Sequence, residues 1–153
     1  MANYFTTDAD LKEYEPDIHK YGIQDFDKDP NLHEKSYDDI IRLLNVEWWP
    51  TAGFGKYDIK FVGENTKLSP SRLIAAQFKR ASVFHVLAYY IFPRLSTFDP
   101  DGDVFREKML FYKERFQTEF DLVLREGVKY DLDSSGTIED SEQVATHFNR
   151  LIR

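Results

Sequence analysis

Two long helical segments joined by a short turn constrain the fold more than any other feature of the chain. The first spans residues 68–95 and the second spans residues 103–127, and the "TFDPDGD" stretch between them is typical of a tight turn. Residues 81–92 are apolar nearly all round, so the first helix should be buried on most of its sides. Two helices connected in this way pack against each other in opposite directions. The sequence therefore predicts an all-α protein, a helical bundle built on a long antiparallel helix hairpin.

The ends of both segments carry residues that are typical of helix termini. Ser69 can cap the first helix, and Pro70 follows at the first helical position, where an N–H is not needed. Asp103 can cap the second helix, and Gly127 is a typical C-terminal stop. The second helix also has an apolar stripe at helical spacing, formed by Phe105, Met109, Tyr112, Phe116, Phe120, Val123 and Leu124.

Shorter helices are predicted around this hairpin. The first begins near Thr7 or Asp8, either of which can cap it, and ends at a proline soon afterwards. The second begins with Ser36 as its cap and has acidic residues in its first turn, where the helix dipole favours them. The third is an amphipathic C-terminal helix over residues 141–153.

Two segments between the helices lack a helical pattern. Residues 17–35 form a long polar loop that contains Gly22 and Pro30. Residues 51–67 form an extended arm, within which residues 57–62 alternate like a short strand. Irregular segments of this length are usually functional or ordered by a partner, and a lone strand has to pair with something. We therefore expect the loop and the arm to contact neighbouring proteins.

The composition excludes several classes of protein. There is no Cys, which removes disulfides, thiolate metal sites and cysteine nucleophiles. No signal peptide is predicted, and the most apolar stretch is too short to span a bilayer, so we expect a soluble chain without a membrane partner. The net charge of −7 suits a general nucleic-acid binder poorly. An acidic beginning and end flank a basic middle, which favours neighbours that pack acidic face on basic face.

Residues 131–142, "DLDSSGTIEDSE", match the calcium-binding loop of an EF-hand. Such loops place oxygen ligands at positions 1, 3, 5, 7, 9 and 12 and a glycine at position 6. Gly136 occupies position 6, and Ile138 occupies the apolar position 8. The candidate calcium ligands are Asp131, Asp133, Ser135, Thr137 through its carbonyl, Glu139 and Glu142.

The flanks of this loop favour a second interpretation. A helix normally runs straight into position 1 of an EF-hand loop, but Gly127 ends the incoming helix before the loop begins. The residue after the loop is usually apolar, and here it is Gln143. The alternative is a turn in which Asp and Ser side chains accept hydrogen bonds from backbone N–H groups and cap the last helix without a metal. Both interpretations remain open on the sequence alone.

The sequence contains no recognisable catalytic motif. HExxH, GxSxG and phosphate-loop patterns are all missing, and the four histidines are scattered along the chain. His85 lies inside the apolar helix and is expected to be a buried histidine with its hydrogen bonds satisfied. We therefore expect that the chain is not an enzyme.

The order of these elements resembles that of the head–tail connector proteins of tailed bacteriophages, also called adaptor or head-completion proteins. The resemblance spans residues 6–127, which are most of the chain, and is one of pattern and element order. It is carried by "TTDADLKEYEP", "YDDIIRLLNVEWWP", "LSPSRLIAAQFKRASVFHVLAYYIFPRL" and "FREKMLFYKERFQTEFDLVLREG". Residues 128–153 depart from the minimal pattern of the family.

The resemblance implies a structural protein of the virion neck that is assembled in the host cytoplasm. Members of this family form a ring, usually twelve-fold, beneath the portal protein, and the ring extends the channel for DNA. The implied partners are other copies of the chain, the portal protein and a tail or neck protein, while DNA passes through without sequence-specific binding. Residues 1–127 would form the adaptor body, and residues 128–153 would form an acidic EF-hand-like loop and a C-terminal docking helix.

Overall fold

The computed structural model describes residues 4–23, 25–28, 30–52, 68–97 and 100–145. These residues are mostly helical, which confirms the predicted all-α class. The α-helices are α1 (Asp8–Tyr14), α2 (Leu32–Glu47), α3 (Trp49–Ala52), α4 (Ala75–Val86), α5 (Phe92–Leu95) and α6 (Val104–Glu126). An antiparallel sheet is made by β1 (Val128–Lys129) and β2 (Gln143–Val144), and 3-10 turns cover Ile18–Tyr21, Pro70–Arg72 and Asp140–Glu142. Within the described ranges, no helix has both the length and the apolar character to cross a membrane.

A π-helical turn over Leu87–Ile91 joins α4 to α5. Pro93 explains this turn, because proline has no N–H for the carbonyl four residues earlier and its ring crowds that carbonyl. The helix widens in response, and the N–H of Phe92 donates to the carbonyl of Leu87, five residues back. The central helix therefore continues through Pro93, a residue type that usually ends a helix, as far as Leu95.

Side-chain contacts show that α4 and α5 pack antiparallel on α6. Pairs that lie progressively later in α4 and α5 lie progressively earlier in α6. These pairs are Arg80 with Glu119, Phe84 with Tyr112, and Phe92 with Phe105. The predicted antiparallel helix hairpin is therefore confirmed.

The chain divides into two compact units. Unit 1 combines Met1–Asp39 with Phe78–Phe120, and unit 2 combines Ile40–Gln77 with Asp121–Arg153. The division predicted at residue 127, between an adaptor body and a C-terminal extension, stays a prediction.

The first 39 residues of unit 1 pack on its helix hairpin. Leu11 and Ile18 are fully buried, and Glu15 lies against α6. The carboxylate of Glu15 accepts hydrogen bonds from Lys108 Nζ at 2.8 Å and from the Tyr112 hydroxyl at 2.9 Å. Burial, together with the Glu15 carboxylate, raises the pKa of Tyr112. This charged contact fastens the end of α1 to the middle of α6.

An aromatic cluster forms the core of unit 2. Trp48 and Tyr130 are fully buried, and their rings lie 5.8 Å apart. Trp48 Nε1 donates to the carbonyl of Val144 at 2.8 Å, and the Tyr130 hydroxyl accepts from the N–H of Ser69 at 3.0 Å. Because Tyr130 follows β1 and Val144 lies in β2, the cluster anchors both strands of the sheet.

The predicted start of the second helix at Ser36 is wrong. Helix α2 begins at Leu32, and Asn31 caps it, because Asn31 Oδ1 accepts from the N–H of Glu34 at 3.2 Å. The last residues of the predicted 17–35 loop are therefore helical, and a 3-10 turn lies near its beginning. Ser36 is fully buried inside the helix, so its hydroxyl serves tertiary contacts.

Of the two N-terminal caps predicted for the hairpin helices, the one at Ser69 is wrong and the one at Asp103 is confirmed. Ser69 and Pro70 start a 3-10 turn, and α4 begins only at Ala75, because Leu73 is extended and bridges to Tyr130. At α6 the prediction is confirmed: Asp103 Oδ1 accepts from the N–H of Phe105 at 3.0 Å. Gly127 ends α6 with a φ of 101°.

Two other predicted segments fall partly outside the described residues. The predicted C-terminal helix is wrong at its start, because Gln143–Val144 is a strand paired with β1, and residues 146–153 are outside the described ranges. The first two residues of the predicted 51–67 arm belong to α3, and residues 53–67 are likewise outside.

Candidate functional site

The candidate calcium loop forms the tip of a β-hairpin in unit 2. Val128 pairs with Val144 and Lys129 pairs with Gln143, so strands rather than helices flank the loop. The N–H of Tyr130 donates to the carbonyl of Glu142 at 3.0 Å, which closes the base of the loop.

Arg72 fastens the first residues of the loop. Its side chain donates to the carbonyl of Leu132 at 2.8 Å, and its own carbonyl accepts from the N–H of Asp131 at 2.9 Å. The beginning of the loop is therefore held by one backbone hydrogen bond and one side-chain hydrogen bond, both to Arg72. The flanking helices that an EF-hand requires are missing from the described residues on both sides.

Glu142, at position 12, is buried, and its carboxylate is bonded to the backbone of the loop. Oε1 accepts from the N–H groups of Leu132 at 2.9 Å and Asp133 at 3.3 Å. Oε2 accepts from the N–H of Glu139 at 3.0 Å, across the 3-10 turn. A buried carboxylate is stable when several N–H groups satisfy it, so this side chain holds the two sides of the loop together without an ion.

Asp131 and Asp133 organise the tight part of the loop. Asp131 accepts from the N–H groups of Ser135 at 3.0 Å and Gly136 at 2.9 Å, and Asp133 also accepts from Ser135 at 3.0 Å. The hydrogen bonds from Ser135 lower the pKa of Asp133. Ser134 and Gly136 have positive φ angles of 58° and 82°, which let the chain turn back sharply.

The structure brings three of the four predicted carboxylate ligands together. Carboxylate oxygens of Asp131, Asp133 and Glu142 all lie within 4.8 Å of one another. The Ser135 hydroxyl donates to the carbonyl of Thr137 at 3.0 Å, so these two predicted ligands are bonded to each other. Three convergent carboxylates match the hard oxygen donors that calcium prefers, and they are the residues that would hold an ion here.

A buried polar network in unit 1 was not predicted from the sequence. His33 Nε2 donates to Asp8 Oδ1 at 2.7 Å, and His33 Nδ1 lies 2.9 Å from the hydroxyl of Thr6. The Thr6 hydroxyl lies 3.3 Å from that of Ser82 in α4. His33 and Thr6 are almost completely buried. The network therefore links the N-terminal segment, α2 and α4.

The same network continues from Ser82 to the second histidine. The Ser82 hydroxyl lies 3.5 Å from that of Ser36, which lies 2.9 Å from His85 Nδ1. His85 Nε2 faces Asp39 Oδ2 at 3.9 Å, and the hydroxyl of Tyr90 donates to the same carboxylate. The expected burial of His85 is confirmed, and its Nδ1 lies within hydrogen-bond distance of Ser36, whereas Nε2 is too far from Asp39 for a hydrogen bond.

Burial determines the protonation of His85. Its removal from water lowers its pKa to about 4, although the Asp39 carboxylate acts in the opposite direction. Burial also raises the pKa of Tyr90, with the help of Asp39. His85 is therefore neutral at physiological pH.

A hydrogen-bonded row of Asp, His and hydroxyl side chains resembles the residues of a hydrolytic site. The burial of these side chains argues for a structural role instead. Ser36 and Ser82 are fully buried and Thr6 is almost so, and a nucleophile has to reach its substrate. A sequence signal for the network does exist. His33 and Ser36 are three residues apart in α2, and Ser82 and His85 are three residues apart in α4. This spacing puts each pair on one face of its helix.

Comparison of the chain with protein-family models, with curated proteins and with solved structures finds no match.

Proposed function

We propose that this chain is a structural subunit of a phage neck that forms a ring, twelve-fold as is usual in the proteins it resembles, between the portal and the tail and extends the DNA channel. The observation that carries the proposal is the element order: a short N-terminal helix, a polar segment, α2, and then the antiparallel hairpin of α4, α5 and α6. This order is the one by which the sequence resembles head–tail connector proteins. In the proposal the subunit is located in the virion neck after assembly in the host cytoplasm.

Exposed apolar side chains on α6 support a role in assembly. Val104, Leu110 and Phe111 are 65%, 51% and 49% exposed, and the guanidinium of Arg115 lies 5.1 Å from the centre of the Phe111 ring. Val104 and Phe111 are seven residues apart, so they lie on the same face of the helix. Aromatic residues and arginine are enriched at protein interfaces, and a neighbouring copy in the ring would bury this face.

The positions of the potentially reactive groups support a non-enzymatic role. His33 and His85 are buried and bonded within unit 1, and Glu142 is bonded within its loop. In the proposal, DNA passes the ring without sequence-specific contacts, and the net charge of −7 disfavours tight binding of phosphates.

The test is assembly with the portal protein that the proposal gives this chain as a partner. The purified chain is mixed with portal rings, and the mixture is examined by size-exclusion chromatography with light scattering and by negative-stain electron microscopy. We expect the chain to add to the portal as an extra ring.

Val104→Asp and Phe111→Asp should abolish this ring without changing the melting temperature. The matched control is Val46→Asp, because Val46 in α2 is 67% exposed. Failure of the wild-type chain to bind portal at any concentration refutes the proposal.

Calcium binding by the 131–142 loop is a second candidate function. The observation that favours it is the convergence of three carboxylates at positions 1, 3 and 12. Ligand binding to the folded state alone stabilises it, by about 2.7 kcal/mol at a hundred times the dissociation constant. CaCl2 should therefore raise the melting temperature of the wild-type chain relative to EGTA, and Asp131→Asn should remove this response. Asp140→Asn, an exposed neighbour outside the cluster, should leave the response intact. An unchanged melting temperature in the wild type would leave the loop as a backbone cap only.

A further inference from the structure

Helix α6 carries an exposed patch in which two apolar side chains lie between two glutamates. Leu110 and Phe111 are 51% and 49% exposed. Glu107 lies three and four residues before them, and Glu114 lies four and three residues after them, so the four side chains share one face of the helix. We call these four residues the α6 patch. A partner that covers its apolar centre gains the free energy of removing that surface from water.

The two glutamates of the α6 patch make no ion pair with the residues that the structure describes. Both are exposed, and they are separated by seven residues, which rise about 10 Å along a helix. Two neighbouring acidic side chains of α6 are paired: Glu119 lies 3.8 Å from Arg80, and Asp121 lies 2.8 Å from Arg125. The patch therefore presents two unpaired negative charges with apolar surface between them.

Arg115 borders the α6 patch on one side. Its guanidinium lies 5.1 Å from the centre of the Phe111 ring. Each residue of a helix is rotated by about 100° from the one before it, so Arg115 and the two glutamates lie on opposite sides of Phe111. A cation that binds the patch is therefore directed away from Arg115, to the side of Leu110, where the carboxylates lie.

The α6 patch of a second copy is a poor occupant of this surface. It would bring two more carboxylates and no cation to pair with them, and like charges across an interface disfavour binding. The charges of the patch favour an occupant that is both apolar and basic, and a chain with a net charge of −7 has few such segments.

Residues 150–153, "RLIR", have the complementary composition. Arg150 and Arg153 flank Leu151 and Ile152, as the two glutamates of the α6 patch flank its two apolar residues. No other Lys or Arg residues of the sequence are three positions apart, and residues 143–153 contain no Asp or Glu. Arginine also suits this role because its planar guanidinium forms paired hydrogen bonds with a carboxylate.

We propose that residues 150–153 of one copy bind the α6 patch of the next copy. The two arginines pair with the two glutamates, and Leu151 and Ile152 cover the apolar centre of the patch. Because the two surfaces differ, each copy offers one and receives the other, and such a head-to-tail contact closes into a ring when the rotation between copies permits. The inference rests on the proposed ring and names the contact between its neighbouring copies.

The first test is a photo-cross-link from the α6 patch of the full-length chain. Leu110→p-benzoylphenylalanine is prepared with and without 15N label, and the two preparations are mixed, irradiated alone or on portal rings, and analysed by mass spectrometry. We expect the reactive residue to capture residues 150–153, with labelled and unlabelled peptides joined to each other. Capture of the portal or of another surface of the chain overturns the proposal, as does capture of residues 150–153 within single copies only.

The second test reverses the charges on each side of the contact. Glu107→Arg with Glu114→Arg, and separately Arg150→Glu with Arg153→Glu, should each reduce the yield of the cross-link about tenfold, the effect of losing two exposed ion pairs. All four substitutions in one chain should restore the yield, because opposite charges face each other again. Glu47→Arg is the matched control, since Glu47 is an exposed glutamate of α2, and it should leave the yield unchanged.

Unchanged melting temperatures show that the charge-reversed chains are folded. The proposal is wrong if either pair of substitutions leaves the yield at the wild-type level, or if the chain with all four does not recover it.

The outcomes distinguish this contact from the ring itself. If the wild type adds to the portal as a ring but the α6 patch does not capture residues 150–153, the contact is wrong and the proposed function stands. If the capture occurs in solution but the chain does not bind portal, the proposed function is wrong and the contact stands.

Discussion

Gly127 ends α6, and two properties of the position favour glycine: a positive φ angle and a close neighbour where a Cβ atom would lie. Gly127→Ala tests whether the close neighbour adds to the cost of the φ angle. Gly127 has a φ of 101°, and a Cβ atom there would lie 2.9 Å from Gln143 Cγ and 3.2 Å from the backbone carbonyl of Gln143. Gly136, in the same unit, has a φ of 82°, but a Cβ atom there would meet nothing within 4 Å. The two glycines therefore separate backbone strain from crowding.

The expected magnitudes follow from these two environments. An L residue with a left-handed backbone costs about 1–2 kcal/mol, and the smaller conformational freedom of alanine in the unfolded chain returns about 0.5–1 kcal/mol. Gly136→Ala should therefore reduce the free energy of unfolding by about 1 kcal/mol. Gly127→Ala adds an overpacked contact with a paired strand, which costs a further 1–3 kcal/mol or so. Its total loss should be about 2–4 kcal/mol.

Urea denaturation followed by circular dichroism measures both losses by linear extrapolation. Gly22→Ala is a second control, because Gly22 has a φ of 102° and also has open space around it. Adding Gln143→Ala to Gly127→Ala should recover only part of the loss, because the backbone contacts at 3.2 Å remain. If Gly127→Ala and Gly136→Ala cost the same within about 0.5 kcal/mol, the contact with Gln143 does not limit this position.

Three further predictions concern buried polar groups. Glu142→Gln should lower the free energy of unfolding, measured by urea denaturation, by about 2–4 kcal/mol, because an amide nitrogen cannot accept from the loop N–H groups. The control is Glu139→Gln, which should change this free energy little because Glu139 is exposed. Burial lowers the pKa of His85 from 6.5 to about 4, so the unfolded chain binds a proton first as the pH falls. The stability that the neutral His85 contributes is complete above pH 6.5 and should decrease by roughly 3 kcal/mol by pH 4. Urea denaturation at several pH values measures this decrease, and His85→Gln should remove it. Trp48→Phe should cost about 1–3 kcal/mol in the same assay, because it removes the hydrogen bond that Trp48 Nε1 donates to the part-buried carbonyl of Val144.

The helix hairpin could be predicted because its signals are local and long. The segments 68–95 and 103–127 each extend over many turns, and apolar periodicity over such lengths overrides single residues. Its capping by Asp103 and its end at Gly127 were also predictable, because both depend on backbone groups within a few residues. Pro93 shows the limit of such rules, since a π turn lets the helix pass a residue that usually ends one.

Ser36 shows why a local signal can mislead. A serine before an apolar run is typical of an N-cap, yet Asn31 supplies the cap and Ser36 lies one turn inside α2. Its hydroxyl bonds to His85 from another helix, and that partner is 49 residues away in the chain. A hydroxyl can satisfy either a helix end or a distant partner, and the choice depends on which other groups are buried with it.

In the loop of residues 131–142, the ligand spacing predicts which side chains lie close together, but it does not predict the secondary structure on either side. Carboxylate oxygens of Asp131, Asp133 and Glu142 lie close together because a loop of this length with Gly136 at its turn returns on itself, and this much the spacing can predict. It did not predict the strands on either side, which depend on Trp48 and the ring of Tyr130 in the core of unit 2. Because Glu142 already accepts from three backbone N–H groups, a bound ion would have to compete with those bonds or share the carboxylate with them. An ion at this site would therefore add rigidity to a loop that is already closed, whereas an EF-hand uses its ion to move the helices that flank the loop.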